Sequence, residues 1–251
     1  MSPPSPVARF HAEGRPRVWS LIVTLLGDVA LPRGGRMPSR MIADILAPMA
    51  IKEGAVRTAL SRLAQDDWVI RGQNGRESQY SLAPRALAET RSASRRIYAP
   101  PGQDVWTLGL GRAPAPEGAA LLQGGWIAPG RIPGAVASQG EITAQPREGQ
   151  LGPGAHRAAL EAMAADLADP ATGIDPLTRR VLLIHRWRRL ILRFGELPPA
   201  LEPPHSLGDA GLRAAMAEAY HRALPASEAA LPMLPPASPA LFGRFREAEQ
   251  P

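Results

Sequence analysis

The stretch KEGAVRTALSRLAQDDWVIRGQNGRESQYSL, residues 52–82, decides how the first hundred residues fold. From Lys52 to Gln65 the apolar residues Val56, Leu60 and Leu63 recur three or four apart, the spacing of one buried helical stripe. Arg57, Thr58, Ser61 and Arg62 fall on the opposite, wet face. Beyond the helix, Trp68-Val69-Ile70 alternates as a short strand, with Trp68 and Ile70 on one face, and Tyr80 and Leu82 repeat the alternation. Gln73-Asn74-Gly75-Arg76 lies between them. Asn-Gly is a strong hairpin signal because both central residues of such a turn take positive φ.

Upstream, Arg17 to Leu26 carries Val18, Leu21, Ile22 and Leu25 on one helical face, and Gly27 stands where a left-handed turn would end that helix. Pro32-Arg33-Gly34-Gly35 reads as a loop. Ser39 is placed to cap a second helix, with Met41, Ile42, Ile45 and Leu46 inward; Pro48 ends it. The short turn Ala50-Ile51 then leads into the helix at Lys52. Two helices joined by a tight turn, the second with basic and hydroxyl residues outward, match a helix-turn-helix, and the hairpin that follows makes the arrangement a winged helix.

Charge supports a nucleic-acid partner. The chain of 251 residues carries a formal net charge of +6, yet residues 1–100 alone carry +7 and the remainder −1. Such an asymmetry suits a basic, duplex-binding end on a neutral body. Lys52 is the single lysine, so a general preference for arginine contributes to the pattern. On this reading Lys52, Arg57, Thr58, Ser61 and Arg62 face double-stranded DNA, and Arg71, Asn74 and Arg76 form the wing contact. Arg57 and Arg62 suit guanine edges or phosphates equally well. A protein-interaction winged helix is the alternative reading.

The composition sets limits. Hydrophobic residues make up 45% and charged residues 21%, which is enough apolar material for real cores. No apolar run approaches the roughly 20 residues of a membrane span, and Met1 to Val7 lacks the core of a signal peptide, so a cytoplasmic protein without a membrane partner is expected. With no cysteine, disulfides, iron–sulfur clusters, thiolate zinc sites and a cysteine nucleophile are excluded. There is no G-x-S-x-G, Walker loop, H-E-x-x-H or G-x-G-x-x-G, and Gly109-Leu110-Gly111 lacks a third glycine. His11, His156, His185, His205 and His221 are scattered. No enzyme, cofactor or metal site is therefore expected.

Further along, Pro84 to Ile97 reads as a connecting helix, and Pro100-Pro101-Gly102 as a boundary. Trp106 to Leu110 suggests one strand and Ile127 to Ile142 two more. A helix from Ala155 to Ala168 has Leu160, Met163 and Leu167 on one face. Asp175-Pro176 starts another, running to Phe194 with Gly195 as its stop, and six arginines lie along it. Arg186, Arg189 and Arg193 among them could grip the phosphates of a coenzyme A group, or pair with carboxylates of other helices. His185 on that helix reads as a packed, hydrogen-bonded residue. A last long helix is expected from Asp209 to Leu224, ended by Pro225.

Several of these stretches resemble one family. Trp19 to Asp28 with Leu31-Pro32-Arg33-Gly34-Gly35, Val56 to Leu63, Arg95-Arg96-Ile97-Tyr98-Ala99-Pro100 and Leu182 to Arg189 are similar to segments of the PaaX-like regulators, repressors of phenylacetate degradation. The resemblance implies an α+β chain: a flexible tail at 1–16, a winged-helix domain with its connecting helix at 17–100, a small ferredoxin-like (Cas2-like) middle domain at 101–172 and a helical C-terminal domain at 173–251. It further implies a homodimeric repressor on a palindromic operator, released by an aryl- or acyl-CoA thioester. The likeness to Cas2 raises a metal-dependent nuclease as a further alternative, for which Asp104 is the only acidic candidate ahead of Trp106.

Overall fold

The computed structural model describes residues 4–101, 105–110, 113–132, 136–139, 154–170, 173–202 and 211–246. Eight α-helices and two small antiparallel sheets among them make an α+β protein, as expected. Contacts divide the chain into two compact units. The first comprises residues 1–96, 170–185 and 220–244, the second 97–169, 186–219 and 245–251. None of the described helices is long and apolar enough to cross a membrane.

The first unit opens with α1 (Pro6–Ala12), in the stretch where a tail was expected. Ser5 caps it by accepting from the Ala8 N–H, Pro6 suits its first position, and Phe10 is buried. Helix α2 (Val18–Leu25) buries Leu21, Ile22 and Leu25 as its spacing requires. It does not stop at Gly27. The chain continues through a π-helical turn, Leu26–Ala30, and a 3-10 turn, Leu31–Arg33, and reverses at Gly34 with φ 85°. Gly27 serves packing instead: a Cβ there would lie 3.0 Å from the Thr90 methyl.

Met37–Pro38 forms β1, a strand the pattern did not reveal, paired with the later ribbon. Pro38 therefore takes the N-cap position of α3 (Ser39–Leu46), and Ser39 is already helical and caps nothing. A 3-10 turn and a left-handed Ala50 (φ 57°) lead into α4 (Glu53–Gln65), which buries Val56, Ala59, Leu60 and Leu63. The ribbon is β2 (Val69–Asn74) with β3 (Glu77–Leu82), and the sheet order is β1-β3-β2. Asn74 pairs with Glu77, so the turn's central residues are Gly75 and Arg76, one step later than Asn-Gly suggested. Only Gly75 needs positive φ (61°). A two-residue turn with glycine first allows that shift. Val69, opposite Leu82, is the inward residue of β2, and Ile70 faces solvent. Helix α5 (Pro84–Ile97) follows.

The second unit holds β4 (Val105–Leu110), β5 (Ala120–Leu122), β6 (Gly125–Pro129) and β7 (Val136–Gln139), in the order β5-β6-β4-β7. Every pairing is antiparallel, the central β4–β6 pair included. A ferredoxin-like domain, as expected here, likewise has an antiparallel sheet, but it carries a helix between its first two strands. Among the described residues, 113–119 are turns and irregular chain, so no such helix is seen between β4 and β5. Gly109 sits in β4 opposite Trp126, whose indole lies where a Cβ would be. This accounts for one glycine of Gly109-Leu110-Gly111; Gly111, Asp104, Ile142, His205 and Asp209 lie outside the described residues. Helix α6 (Gly154–Ala168) buries Leu160 and Met163.

Helices α7 (Pro176–Phe194) and α8 (Gly211–Ala229) each contribute to both units. Asp175 caps α7 by accepting from the Thr178 N–H at 2.9 Å, and Gly195 follows its end with φ 79°. Within the first unit, Leu177, Val181 and Leu182 join the core made by α2, α3 and α4, and His185 is buried with its Nδ1 3.0 Å from Thr24 Oγ1. Pro225 does not end α8. The residues beyond it are held by tertiary contacts that outweigh its missing N–H: Ser227 and Glu228 both accept from Arg180.

Those contacts belong to a buried charge cluster. Asp28, turned inward by the π-helical turn, takes Arg180 Nε at 2.8 Å, Arg244 Nη1 at 2.5 Å and the Tyr220 hydroxyl at 2.9 Å. Arg180 Nη1 also donates to Glu228 at 2.5 Å, and Arg33 pairs with the other Glu228 oxygen. Asp28 and Arg180 are almost wholly buried. Burial, and after it the Asp28 carboxylate, push the Tyr220 hydroxyl above its ordinary range, so it stays protonated and donates. Burial and the Arg180 charge lower Arg33.

Candidate nucleic-acid interface

Helix α4 turns one side to the core and the other to solvent because its apolar residues follow the helical period. Lys52, at the N-cap, and Arg57, Thr58, Ser61 and Arg62 are all exposed, as are Arg71, Asn74 and Arg76 on the ribbon. The expected face is therefore open, but the residues on it do not form one set.

A groove of about 1150 Å³ runs between α3, α4 and the β2–β3 ribbon. Arg57 and Ser61 line it from α4 and Arg71 from β2. Lys52, Thr58 and Arg62 are not among its lining residues. Thr58 Oγ1 donates to the Gly54 carbonyl at 2.9 Å, a bond within its own helix. Pairing register explains the wing: Arg71 shares a ribbon face with Val69, Ser78 and Tyr80, whereas Asn74 lies on the other face and Arg76 is in the turn. Arg71 is braced by Ser78 Oγ, which accepts from its Nε at 3.2 Å and Nη2 at 2.8 Å.

Arg40, at the start of α3, and Gln65, near the end of α4, also line the groove, and the sequence reading missed both. The signal for Arg40 was its place beside Ser39 on the polar side of an otherwise apolar helix. The groove is not uniformly basic. Glu53 Oε1 lies 2.8 Å from Arg57 Nη2, and Asp44 Oδ2 lies 4.0 Å from Arg40 Nε, each pair one helical turn apart. All four side chains are at least 71% exposed. Water screens such pairs, so the guanidinium groups can exchange a carboxylate for another acceptor at little cost.

The three arginines expected to meet an effector have separate surroundings. Arg186 is buried and ion-paired with Asp166 of α6, the carboxylate alternative of the sequence reading. Arg189 is exposed. Arg193 is exposed with its guanidinium 4.8 Å from the Phe194 ring centre.

Comparison with known proteins matches residues 17–86 to the model of the PaaX-like protein family, which spans α2 through the ribbon and the first turn of α5. The chain is 28% identical to the transcriptional repressor PaaX of Escherichia coli (strain K12), over 83% of this chain and 81% of that one. Among solved structures it is similar to the uncharacterized protein Rv0674 from Mycobacterium tuberculosis, at 20% identity and a TM-score of 0.46, covering 83% of this chain and 96% of the other.

Proposed function

We propose that this chain, with its PaaX-like domain at residues 17–86, is a DNA-binding transcriptional repressor. One observation carries the reading: α4 holds its apolar stripe in the core and offers Arg57, Thr58, Ser61 and Arg62 to solvent, next to an exposed two-stranded ribbon. A helix of this build fits the major groove, and a ribbon beside it fits the flanking backbone or minor groove, which is the winged-helix mode. Similarity to the repressor PaaX supports the same conclusion.

The finer reading is a homodimer on a palindromic operator. Two copies of α4 then reach half-sites one helical turn apart, about 34–36 Å. An aryl- or acyl-CoA thioester releases the operator by binding the DNA-incompetent arrangement better than the competent one. Arg189 and Arg193, both exposed, are candidate contacts for its phosphates; Arg186 would first have to leave Asp166.

The test is direct. The protein is presented with a random-sequence duplex library, and the selected duplex is measured by fluorescence anisotropy across a salt series. Repressor function predicts selection of a two-fold symmetric site and an affinity that falls linearly on logarithmic axes as salt rises. Phenylacetyl-CoA titrated into the complex should then lower the anisotropy. Absence of any selected sequence, with weak and salt-insensitive binding, would leave the protein-interaction alternative.

A further inference from the structure

The groove beside α4 contains two carboxylates that a simple phosphate-binding surface would lack. Asp44 and Glu53 line it, 71% and 72% exposed. Each stands one helical turn from an arginine of its own helix, Arg40 and Arg57, that lines the same groove. Exposed carboxylates repel phosphates whatever the base sequence. Non-specific affinity comes from phosphate neutralisation, so it is the part of the binding that such carboxylates oppose.

We propose that Asp44 and Glu53 are specificity-determining residues: they hold Arg40 and Arg57 in compensated pairs so that an arbitrary duplex gains little from them. This rests on the DNA-binding reading above. An arbitrary sequence offers Arg57 only phosphate oxygens, in competition with a carboxylate already 2.8 Å away. A cognate site adds paired acceptors on a guanine edge, which match the guanidinium fork and favour its transfer from Glu53. The carboxylates thus weaken wrong complexes more than the right one, which is how a binding surface gains selectivity through repulsion.

The experiment uses the full-length protein and the variants Glu53→Gln, Asp44→Asn and Glu89→Gln. Glu89 is the control: it makes the same kind of one-turn pair, with Arg85 at 2.9 Å on α5, and does not line the groove. Affinity is measured for a duplex selected by the wild type from a random library and for a shuffled duplex of equal composition. Circular dichroism verifies the fold of each variant. Glu53→Gln and Asp44→Asn should bind the shuffled duplex roughly three- to tenfold more tightly, with a smaller change on the selected one. Glu89→Gln should leave the ratio of the two affinities where it was. Equal tightening on both duplexes, or an equal effect of Glu89→Gln, overturns the proposal, because net charge would then suffice. Loss of affinity for the selected duplex alone also overturns it, since Glu53 would then be a base contact. If the wild type binds neither duplex in a salt-dependent way, the DNA-binding reading itself fails and takes this inference with it.

Discussion

Arginine does opposite jobs in two regions of the first unit. On α4 and the ribbon, Arg57, Arg62, Arg71 and Arg76 stand in solvent, and Arg57's ion pair is with a neighbour on its own helix. Around Asp28, Arg180 is fully buried, and its partners come from positions 28, 220, 227 and 228. The first set is open to exchange partners. The second gains from attraction in a low-dielectric interior but is costly to leave half-made. Surface charge here can exchange partners, while buried charge ties three segments far apart in the chain into one core.

The largest test breaks the buried set. Asp28→Asn keeps the shape but leaves Arg33, Arg180 and Arg244 around Glu228 as the remaining carboxylate of the cluster described above. Denaturant unfolding should show a loss of about 3–5 kcal/mol, the usual consequence of stranding one side of a buried ion pair. Arg180→Met, which removes a cation and fills its volume, should cost less than Asp28→Asn. The reverse order would mean that packing, not charge, holds the cluster.

Next in size, Arg62→Ala and Arg57→Ala should leave stability within about 0.5 kcal/mol of the wild type, as surface changes do. Duplex affinity should fall instead. A base contact costs about 1–3 kcal/mol and relaxes preference at one position, whereas a phosphate contact weakens all sequences alike and lowers the salt slope by about one. Substitutions that unfolded the protein would erase the contrast between the two arginine sets.

These two regions were not equally legible in the sequence. The α4 face could be read because helical period alone sorts Val56, Leu60 and Leu63 from Arg57, Ser61 and Arg62. The ribbon was visible too, but its turn shifted by one residue, since glycine at position 75 serves either turn type. β1 escaped because two residues carry no period. The Asp28 cluster left only a faint trace: one acid inside the apolar run from Leu21 to Leu31, and an arginine beside Val181 on the apolar side of α7. Its partners are up to 216 positions away, and no local rule joins them. Gly27 misled for a related reason. Its small size fits a turn and a tight approach to Thr90 equally, and tertiary packing chose the second.

A buried histidine sharpens the contrast in the second unit. His156 stacks on Phe194 at 4.8 Å, and its Nε2 is buried with no hydrogen-bond partner among the described residues. Burial lowers its pKa to about 4. The unfolded chain takes up the proton near 6.5. Between those values the unfolded state binds more protons, so stability falls as pH drops through that window. The loss should reach up to about 3 kcal/mol by pH 4 and should be absent from His156→Phe, which keeps the stack. Equal acid sensitivity in both proteins would place the titration on other groups.

The smallest effect measures the contrast itself. In a double-mutant cycle on unfolding, Arg57→Ala with Glu53→Ala should give a coupling of about 0.5 kcal/mol or less, typical of exposed pairs one helical turn apart. The same cycle on Arg180 and Asp28 should give several-fold more. A weak Arg57–Glu53 coupling is what the binding role needs, because a guanidinium held tightly by its own helix could not transfer to a base. A coupling on Arg57–Glu53 that matched the buried pair would make that side chain part of the scaffold and leave Arg62 as the remaining arginine of α4 able to meet DNA.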